Sequence, residues 1–487
     1  MQPRFQLLDD DLADRIITEA KIVLAEVGVD VVDDQTKALL AEHGAVEGAD
    51  GRVHFAEGLV ESALDTTPLS FSLFDVQGNE THCFEGQKTH FTPGSAAINV
   101  LDRESGAIRP AVTSDLVALA KLVSRLERMN AQSTALVASD VPEAIADSYR
   151  LYLNLLHCEK PVVTGAFTIE GFDVMRDLVL AVRGSAEALA AKPVAMFTCC
   201  PTAPLRWTDE GSRNLIDCAR LRIPVEIIPV PLTGFMAPVT LVGTLIQHTA
   251  EVLSGVVIAQ LANPGTPLLF GGSPAIFDLR FETTPMGAME TTMLTCAAAE
   301  IGRRLGLPTQ GYIALSDSKA LDAQAGLETG MGATLAALTV IDNVSGPGML
   351  DFESCQSLEK LVVDHEICLM TDRLRAGIEP REDFPARPLF EELLAEKHLL
   401  IADHTRRHVR KELSFPGQVI DRTSRARWLE EGAPTLADRA AAEVDRLIAD
   451  FEPSRIGSDI RGELASIMSA AARSAGMDAL PEIDSPI

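Results

Sequence analysis

The sequence predicts an α/β protein, a (β/α)8 TIM barrel over residues 95–376, with an N-terminal α+β cap over 1–94 and a C-terminal helical extension over 377–487. Three observations lead there. Short β-branched or apolar runs alternate with amphipathic stretches of helical periodicity, and the pair recurs eight times from Ala96 onward. The runs are almost continuously apolar, as strands buried on both faces of a parallel sheet must be. Several begin with proline after a helix-ending residue, at Lys160-Pro161, Lys192-Pro193, Ile223-Pro224 and Leu307-Pro308. Proline at a strand's first position forfeits no ladder hydrogen bond. Eight alternating units imply closure into a barrel. The rival, an open doubly wound sheet, lacks a GxGxxG fingerprint after an early strand.

In the cap, Leu12, Ile16, Ala20, Val23, Leu24 and Val27 form a helical stripe that Gly28 ends. Thr36–Glu42 reads as a second short helix. Val53–Phe55, Phe71–Phe74 and His82–Phe84 read as strands around the Gly78-Asn79 turn. The barrel strands are expected at Ala96–Leu101, Ala131–Ala138, Pro161–Ala166, Pro193–Cys199, Pro224–Val230, Pro267–Phe270, Thr309–Leu315 and Leu338–Val344. Helices are expected over Ser114–Met129, Pro142–Cys158, Gly171–Arg183, Asp209–Leu221, Val239–Leu261, Met286–Leu305, Lys319–Ala337 and Ser357–Leu374. Beyond Gly377 the alternation lapses. Leu389–Leu400, His404–Leu413, Leu436–Phe451 and Ile460–Ala475 read as helices, and Asp478–Ile487 as a loose Pro/Asp-rich tail.

Composition narrows the function. Of 487 residues, 46% are hydrophobic, enough for a large core, and the formal net charge is −28. A surface that acidic repels phosphate backbones and anionic lipid, so no nucleic-acid or membrane partner is expected. The N-terminus has no basic region followed by an apolar run, and no stretch reaches the roughly 18–20 apolar residues a bilayer span needs. The eight cysteines are scattered without a CxxC pair, which fits reduced thiols in a cytoplasmic protein. Large barrel enzymes commonly self-associate, and a homo-oligomer is expected.

Barrel chemistry sits just after each strand. Those positions carry small, polar and aromatic residues here, including Phe167 after the third expected strand and Thr198-Cys199-Cys200 at the end of the fourth. Trp207 and Tyr312 fall on this rim although the chain holds only two tryptophans and three tyrosines. An aromatic-lined mouth with few charges suits a cationic or quaternary-ammonium ligand held by ring faces; ordinary packing between loops and helices is the alternative for both residues. Cys199-Cys200 has no histidine at zinc-ligand spacing, and no tightly bound metal is predicted. His82 and His90 read as polar contacts of the cap. Lys319 is placed either as a Schiff-base lysine or in a helix start capped by Asp317 or Ser318. Gly271 and Gly272 with Ser273, and Gly346 with Gly348, either let a large ligand approach the backbone or make tight turns.

Several segments together resemble a known family. They are Gly94-Ser95 into Asn99-Val100-Leu101-Asp102, Ser105-Gly106, Arg109 and Thr113-Ser114-Asp115-Leu116; Gly311 through Ser316-Asp317-Ser318-Lys319 with Asp322, Gln324, Gly326 and Glu328; Gly346-Pro347-Gly348-Met349; and His404-Thr405-Arg406-Arg407-His408. They resemble the trimethylamine:corrinoid methyltransferase superfamily over nearly the whole chain. The resemblance implies a methyltransferase moving a methyl group from a methylated amine to the cobalt of a corrinoid (cobalamin) carried by a separate small protein. Its founding members hold pyrrolysine; this chain has only standard residues and is similar to the branch that includes glycine-betaine demethylases. A quaternary ammonium already has a neutral amine as its leaving group, so positioning and exclusion of water suffice. On this reading Trp207, Phe235, Phe277 and Tyr312 contribute the aromatic wall. Arg280 or Lys319 meets a betaine carboxylate, Asp317, Lys319, Gln324 and Glu328 are the catalytic candidates, and Gly271, Gly272, Ser273, Gly346 and Gly348 face the corrinoid. Two alternatives stand beside it: a lysine-dependent or other TIM-barrel lyase, and a non-catalytic binder of methylated amines or of a corrinoid protein. The methyl donor is left open among betaines, carnitine, trimethylamine and sulfonium compounds.

Overall fold

The apolar runs pair in parallel. In the computed structural model, which describes residues 3–483, eight short strands carry the centre of the chain. They are β1 (His90–Thr92), β2 (Gln132–Ser133), β3 (Val162–Thr164), β4 (Ala195–Cys199), β5 (Val225–Ile227), β6 (Leu268–Phe270), β7 (Gln310–Tyr312) and β8 (Asn343–Ser345). Five form one parallel sheet in the order β6-β5-β4-β3-β2, and three form a second in the order β7-β8-β1. In register, Phe197 lies opposite Val225 and Asn343 opposite His90. Parallel bridges Phe91–Met129 and Phe270–Thr309 join the edges of the two sheets. At those seams the amide of Asn130 donates to the carbonyl of Phe91, and that of Phe270 to Pro308, each at 2.8 Å.

The first strand departs from the sequence reading. Ala96–Leu101 does not enter the parallel sheets. Its Asn99–Leu101 portion forms an antiparallel hairpin with Ile108–Pro110 and pairs with Cys355–Gln356 in a small accessory sheet. The strand in its place is His90–Thr92, which the sequence reading assigns to the cap. Only Phe91 of these three is apolar, and Thr92 spends its hydroxyl on Asn343 at 3.1 Å. An apolar-run criterion passes over a strand in which two of the three buried residues are polar. The eighth strand also starts late, because its preceding helix continues to Thr339 and takes up the first two residues of the expected run, and Val340 then turns left-handed.

Helices follow the strands as expected: α1 (Thr113–Arg125), α2 (Glu143–His157), α3 (Ile169–Arg183), α4 (Asp209–Arg220), α5 (Leu241–Ala262), α6 (Met289–Arg304), α7 (Ala323–Thr339) and α8 (Leu358–Ala376). Thr168, Thr208, Thr240, Asp322 and Ser357 accept an amide hydrogen bond at the starts of α3, α4, α5, α7 and α8. Such caps satisfy the donors that a helix leaves open at its N-terminus, here on the face where the strands end. Helix α5 is apolar on nearly all sides, so it must be covered all round. The cap supplies that cover through Asp10–Ile22, Asp34–Glu42 and Glu57–Thr66. Among the described residues α5 is the one helix long and apolar enough to cross a membrane, and 78% of its apolar window is buried within this protein.

The extension returns to the helices that follow the parallel strands. Leu436–Ala449 packs on α1 and α8, and Ser458–Ser474 on α2 and α3. The expected helices at Leu389–Leu400 and His404–Leu413 form over Arg387–Glu396 and Asp403–Glu412. A further short helix, Arg425–Glu430, is too brief to show a period in sequence. Residues 484–487 of the Asp478–Ile487 tail lie outside the described residues.

Candidate active site

The C-terminal ends of the strands surround a cavity of about 400 Å³. Gly165 and Phe167 reach it from the end of β3, Thr198 and Cys199 from β4, Ile228 and Val230 from β5, Ser273 from β6 and Tyr312 from β7. Arg150 enters from α2 and Glu353 from the turn after β8. Each parallel strand delivers its last side chain to the same end, which is why residues so distant in sequence converge.

Arg150 is buried and held on three sides. It donates to Asp147 Oδ1 at 2.9 Å and to the carbonyls of Thr134 and Gly165 at 3.2 and 3.1 Å. Its Nε has no partner. The guanidinium lies 5.0 Å from the centroid of the Phe167 ring, so cation and aromatic face one another at the wall. Phe167 itself is 63% exposed and leans over the mouth.

Opposite in charge is Glu353. It stands on a left-handed run in which Asp351, Phe352 and Glu353 have φ of 48°, 55° and 68°. Non-glycine residues there cost roughly 1–3 kcal/mol each and persist only where the surroundings enforce them. Here the amide of Asp351 donates to Ser318 O at 2.9 Å, and Lys319 caps the turn, with Nζ 3.7 Å from the Phe352 ring centroid and 3.5 Å from Asp351. The Glu353 Oε1 is withdrawn from solvent and has no partner. Burial, with Asp317 nearby, pushes its carboxyl up to about 8.

A second carboxyl, Glu226 on β5, lies under the cavity floor. It accepts from the hydroxyl of Thr198, a cavity residue, at 2.7 Å and from Asn343 on β8 at 3.2 Å. Burial raises it to about 7 despite both bonds. Tyr312 is buried and its phenol is pushed well above its usual range, by burial first and then by Glu226 and Glu353.

The residues singled out in the sequence distribute unevenly. Tyr312 and Ser273 border the cavity. Trp207 does not: it is fully buried, and its indole N–H donates to Ser254 on α5 at 2.9 Å. Phe235 and Phe277 stack on each other at 4.8 Å on the loops after β5 and β6 and do not line the cavity. Arg280 is exposed and neutralised by Asp278 at 2.6 Å. Asp317, Lys319, Gln324 and Glu328 form a brace one layer behind the wall. Asp317 accepts from the amides of Met286, a cavity residue, and Gly287 at 2.8 and 2.9 Å, and burial raises its carboxyl to about 6. Glu328 receives Ser316 Oγ at 2.5 Å, the Asp317 amide at 2.9 Å and Gln324 Nε2. Lys319 donates to Asp317 O at 2.7 Å and its side chain is 54% exposed.

The glycines serve internal packing. A Cβ on Gly272 would meet the His248 ring, one on Gly271 would come within 2.8 Å of Gln310 Oε1, and those on Gly346 and Gly348 would meet Ile313 O and Gln356. Protein, not open space, lies against each of these backbones. The sequence reading passed over Arg150, Glu353 and Glu226. Arg150 sits mid-helix and Glu226 mid-strand, where charge usually faces water or is absent. A charged residue inside the apolar run Pro224–Val230 was the signal available for Glu226.

The family model described as trimethylamine methyltransferase (MTTB) matches residues 1–477. The trimethylamine methyltransferase of Methanosarcina barkeri is 30% identical over 92% of this chain and 92% of its own length. The glycine betaine methyltransferase of Desulfitobacterium hafniense is 27% identical over 97% of this chain and 98% of its own length. Among solved structures, the monomethylamine methyltransferase of Methanosarcina barkeri superposes with a TM-score of 0.51 at 10% identity, covering 97% of this chain and 88% of its own, a likeness of fold. With the match running from the cap into the last helix, and a cavity at the strand ends, this chain belongs to the trimethylamine methyltransferase family.

Proposed function

We propose that this protein is a methyltransferase that moves a methyl group from a zwitterionic quaternary amine, of the glycine-betaine type, to the reduced cobalt of a corrinoid presented by a separate small protein. The observation that carries the zwitterion is the presence in one cavity of a guanidinium N–H without an acceptor, on Arg150, and a carboxyl oxygen without a donor, on Glu353. A betaine carboxylate satisfies the first. Its quaternary ammonium has no N–H to donate and meets the second as a charge when Glu353 is ionised, against the rings of Tyr312 and Phe167. Arg150 thus takes the role assigned in sequence to Arg280 or Lys319.

The corrinoid, when bound, supplies the cobalt nucleophile. A cavity of about 400 Å³ accommodates a small amine but not a corrin macrocycle, so the macrocycle fits at the mouth rather than inside. Exposed apolar side chains at that mouth, Phe167 and Val230, suit such an approach. The amine leaves neutral, so the protein's task is to hold the donor with one methyl toward the mouth and to keep water out. Nothing in the cavity has to deliver a proton to the leaving nitrogen.

The same reading takes the two parallel sheets as one closed (β/α)8 barrel. The two edge bridges support it, as does the hydrogen-bonded chain from Thr92 through Asn343 to Glu226, which joins side chains of β1, β8 and β5. The cap then ends before His90 instead of at residue 94, and the extension begins at 377. Self-association is part of the proposal, supported by exposed apolar residues of the extension such as Ile378, Phe384 and Leu400. For a lysine-dependent lyase, no observation favours Lys319 as the nucleophile.

The test is methylation of free cob(I)alamin, followed by its visible spectrum, against glycine betaine, other quaternary amines, trimethylamine and a sulfonium donor. Conversion to methylcobalamin with betaines and not with trimethylamine is expected. Conversion with trimethylamine alone would refute the zwitterion. No conversion with any donor, even with a corrinoid protein supplied, would refute the reaction class.

A further inference from the structure

A side-chain cluster in the extension, apart from the reaction cavity, has the composition of a metal site. Helix Asp403–Glu412 carries His404 and His408 one turn apart, a spacing that places both rings on one face. Their centroids are 5.0 Å apart. Glu382, from the segment that leads out of α8, meets them from across a cleft, with Oε2 3.6 Å from His408 Nε2. One ligand atom from each of the three can be chosen so that all lie within 4.8 Å of one another.

The second observation is the state of His408. Only 12% of its side chain is exposed, and both ring nitrogens are buried without a hydrogen-bond partner. A buried imidazole normally finds at least one partner, so an orphan of this kind needs an explanation. The adjoining cleft, about 550 Å³, is bordered by Glu379, Asp383 and Glu412 as well as the two histidines and Arg381. Arg407, at 2.6 Å from Glu382, and Arg381, at 2.7 Å from Glu412, each offset one carboxylate. Glu379 and Asp383 keep the cleft's balance negative.

We propose that Glu382, His404 and His408 bind one divalent cation of the zinc class and so pin the segment after α8 to helix Asp403–Glu412. Two imidazoles and a carboxylate are a recurrent zinc donor set that leaves a fourth position for water. Zinc bonds of roughly 2.0–2.2 Å put ligand atoms about 3.3–3.6 Å apart, which the His408–Glu382 pair already matches. A ligand atom of His404 lies within 4.8 Å of the other two. Arg407 then acts as the outer partner that orients the ligating carboxylate. The site needs neither the donor amine nor the corrinoid.

The experiment uses the full chain, freed of any affinity tag, stripped with a chelator and titrated with Zn²⁺ by calorimetry, with metal content counted by mass spectrometry. Co²⁺ replaces Zn²⁺ in a parallel sample to report tetrahedral geometry by its visible bands. One equivalent per chain is expected. His404→Ala and His408→Ala should each weaken it by at least the roughly 10–100-fold seen for loss of an outer partner, and Glu382→Gln by a similar factor. Bound Zn²⁺ should also slow proteolysis between Gly377 and Ala402 in the parent and not in His404→Ala. Near-ultraviolet dichroism identifies variants that keep the native fold; His408→Gln substitutes if His408→Ala does not. Uptake below stoichiometry, or uptake unchanged in the folded His404→Ala/His408→Ala double variant, overturns the proposal.

Discussion

Glu353 gives the sharpest test of the cavity chemistry. Its carboxyl titrates at about 8, so at pH 7 roughly one molecule in ten carries the charge that a quaternary ammonium would meet. If only the ionised form binds the cation, the apparent dissociation constant is the intrinsic one divided by that fraction, a penalty of about tenfold or ~1.4 kcal/mol at pH 7. At pH 9 about nine molecules in ten are ionised, and most of the penalty is gone. Affinity for glycine betaine should therefore rise about tenfold between pH 7 and pH 9, most steeply below pH 8 and flattening above it, whereas the ligand itself does not titrate in this range. The assay is equilibrium calorimetry without corrinoid, repeated in buffers of different ionisation enthalpy. Close to one proton should be released per betaine bound at pH 7 and almost none at pH 9. In Glu353→Gln the affinity should be weaker at high pH and independent of pH. A flat profile in the parent protein would refute the assignment. An unchanged slope in Glu353→Gln would move it to Glu226, whose carboxyl titrates at about 7.

Four further outcomes follow from the same geometry. Glu226 has a folded-state value above its ordinary 4.5, so its contribution to stability is complete below pH 4.5 and lost as pH rises through about 7. In chemical denaturation Glu226→Gln should thus gain on the parent by up to ~3 kcal/mol between pH 4.5 and 8, and a pH-independent difference would show that the carboxyl is not buried uncharged. Trp207→Ala should cost roughly 3–5 kcal/mol in stability by opening a cavity beside Ser254, yet leave betaine affinity intact in the folded fraction; affinity lost at unchanged stability would return Trp207 to the aromatic wall. Lys319→Met keeps an apolar stem over Phe352 and loses the charge that caps the left-handed turn. It should lower kcat/KM a few-fold with recovery in Lys319→Arg, whereas a borohydride-trapped substrate on Lys319 would establish a lyase. Gly272→Ala drives a methyl into the His248 ring and should destabilise by about 1–3 kcal/mol without weakening binding of a corrinoid protein; weaker binding at parental stability would place this backbone at the corrinoid after all.

The regular part of the fold was legible because periodicity is a property of long segments. Helices α1 to α8 fall close to their expected spans, and seven of the eight parallel strands coincide with an expected apolar run at least in part. His90–Thr92 escaped because two of its three residues are polar and buried, Thr92 donating to Asn343 on the neighbouring strand and His90 meeting the carbonyl of Cys83, so that burial is satisfied by hydrogen bonding instead of by apolar character. The same fact hid Glu226. His404 and His408 stood in a segment singled out for its resemblance, but their spacing acquires a third donor only when Glu382 folds across to them.

The motif from Ser316 to Glu328 shows why a conspicuous sequence and a reacting surface need not coincide. Charged residues at close spacing are visible in sequence, and this motif holds Asp317, Lys319, Asp322 and Glu328 within a few helical turns. A cavity that binds a small cation by ring faces and isolated charges is assembled from single residues on separate strands, which no local pattern betrays. Placement decides the role. The carboxylate of Asp317 is spent on the amides of Met286 and Gly287, and the carbonyl of Ser318 on the amide of Asp351. The motif thereby fixes one cavity wall through Met286 and the strained turn that presents Glu353. Three left-handed residues in succession would relax without such a brace, and the carboxyl they carry would regain water and its ordinary acidity. In the proposed reaction the motif would set the charge on Glu353 from outside the cavity lining, which would account for its dense hydrogen bonding there.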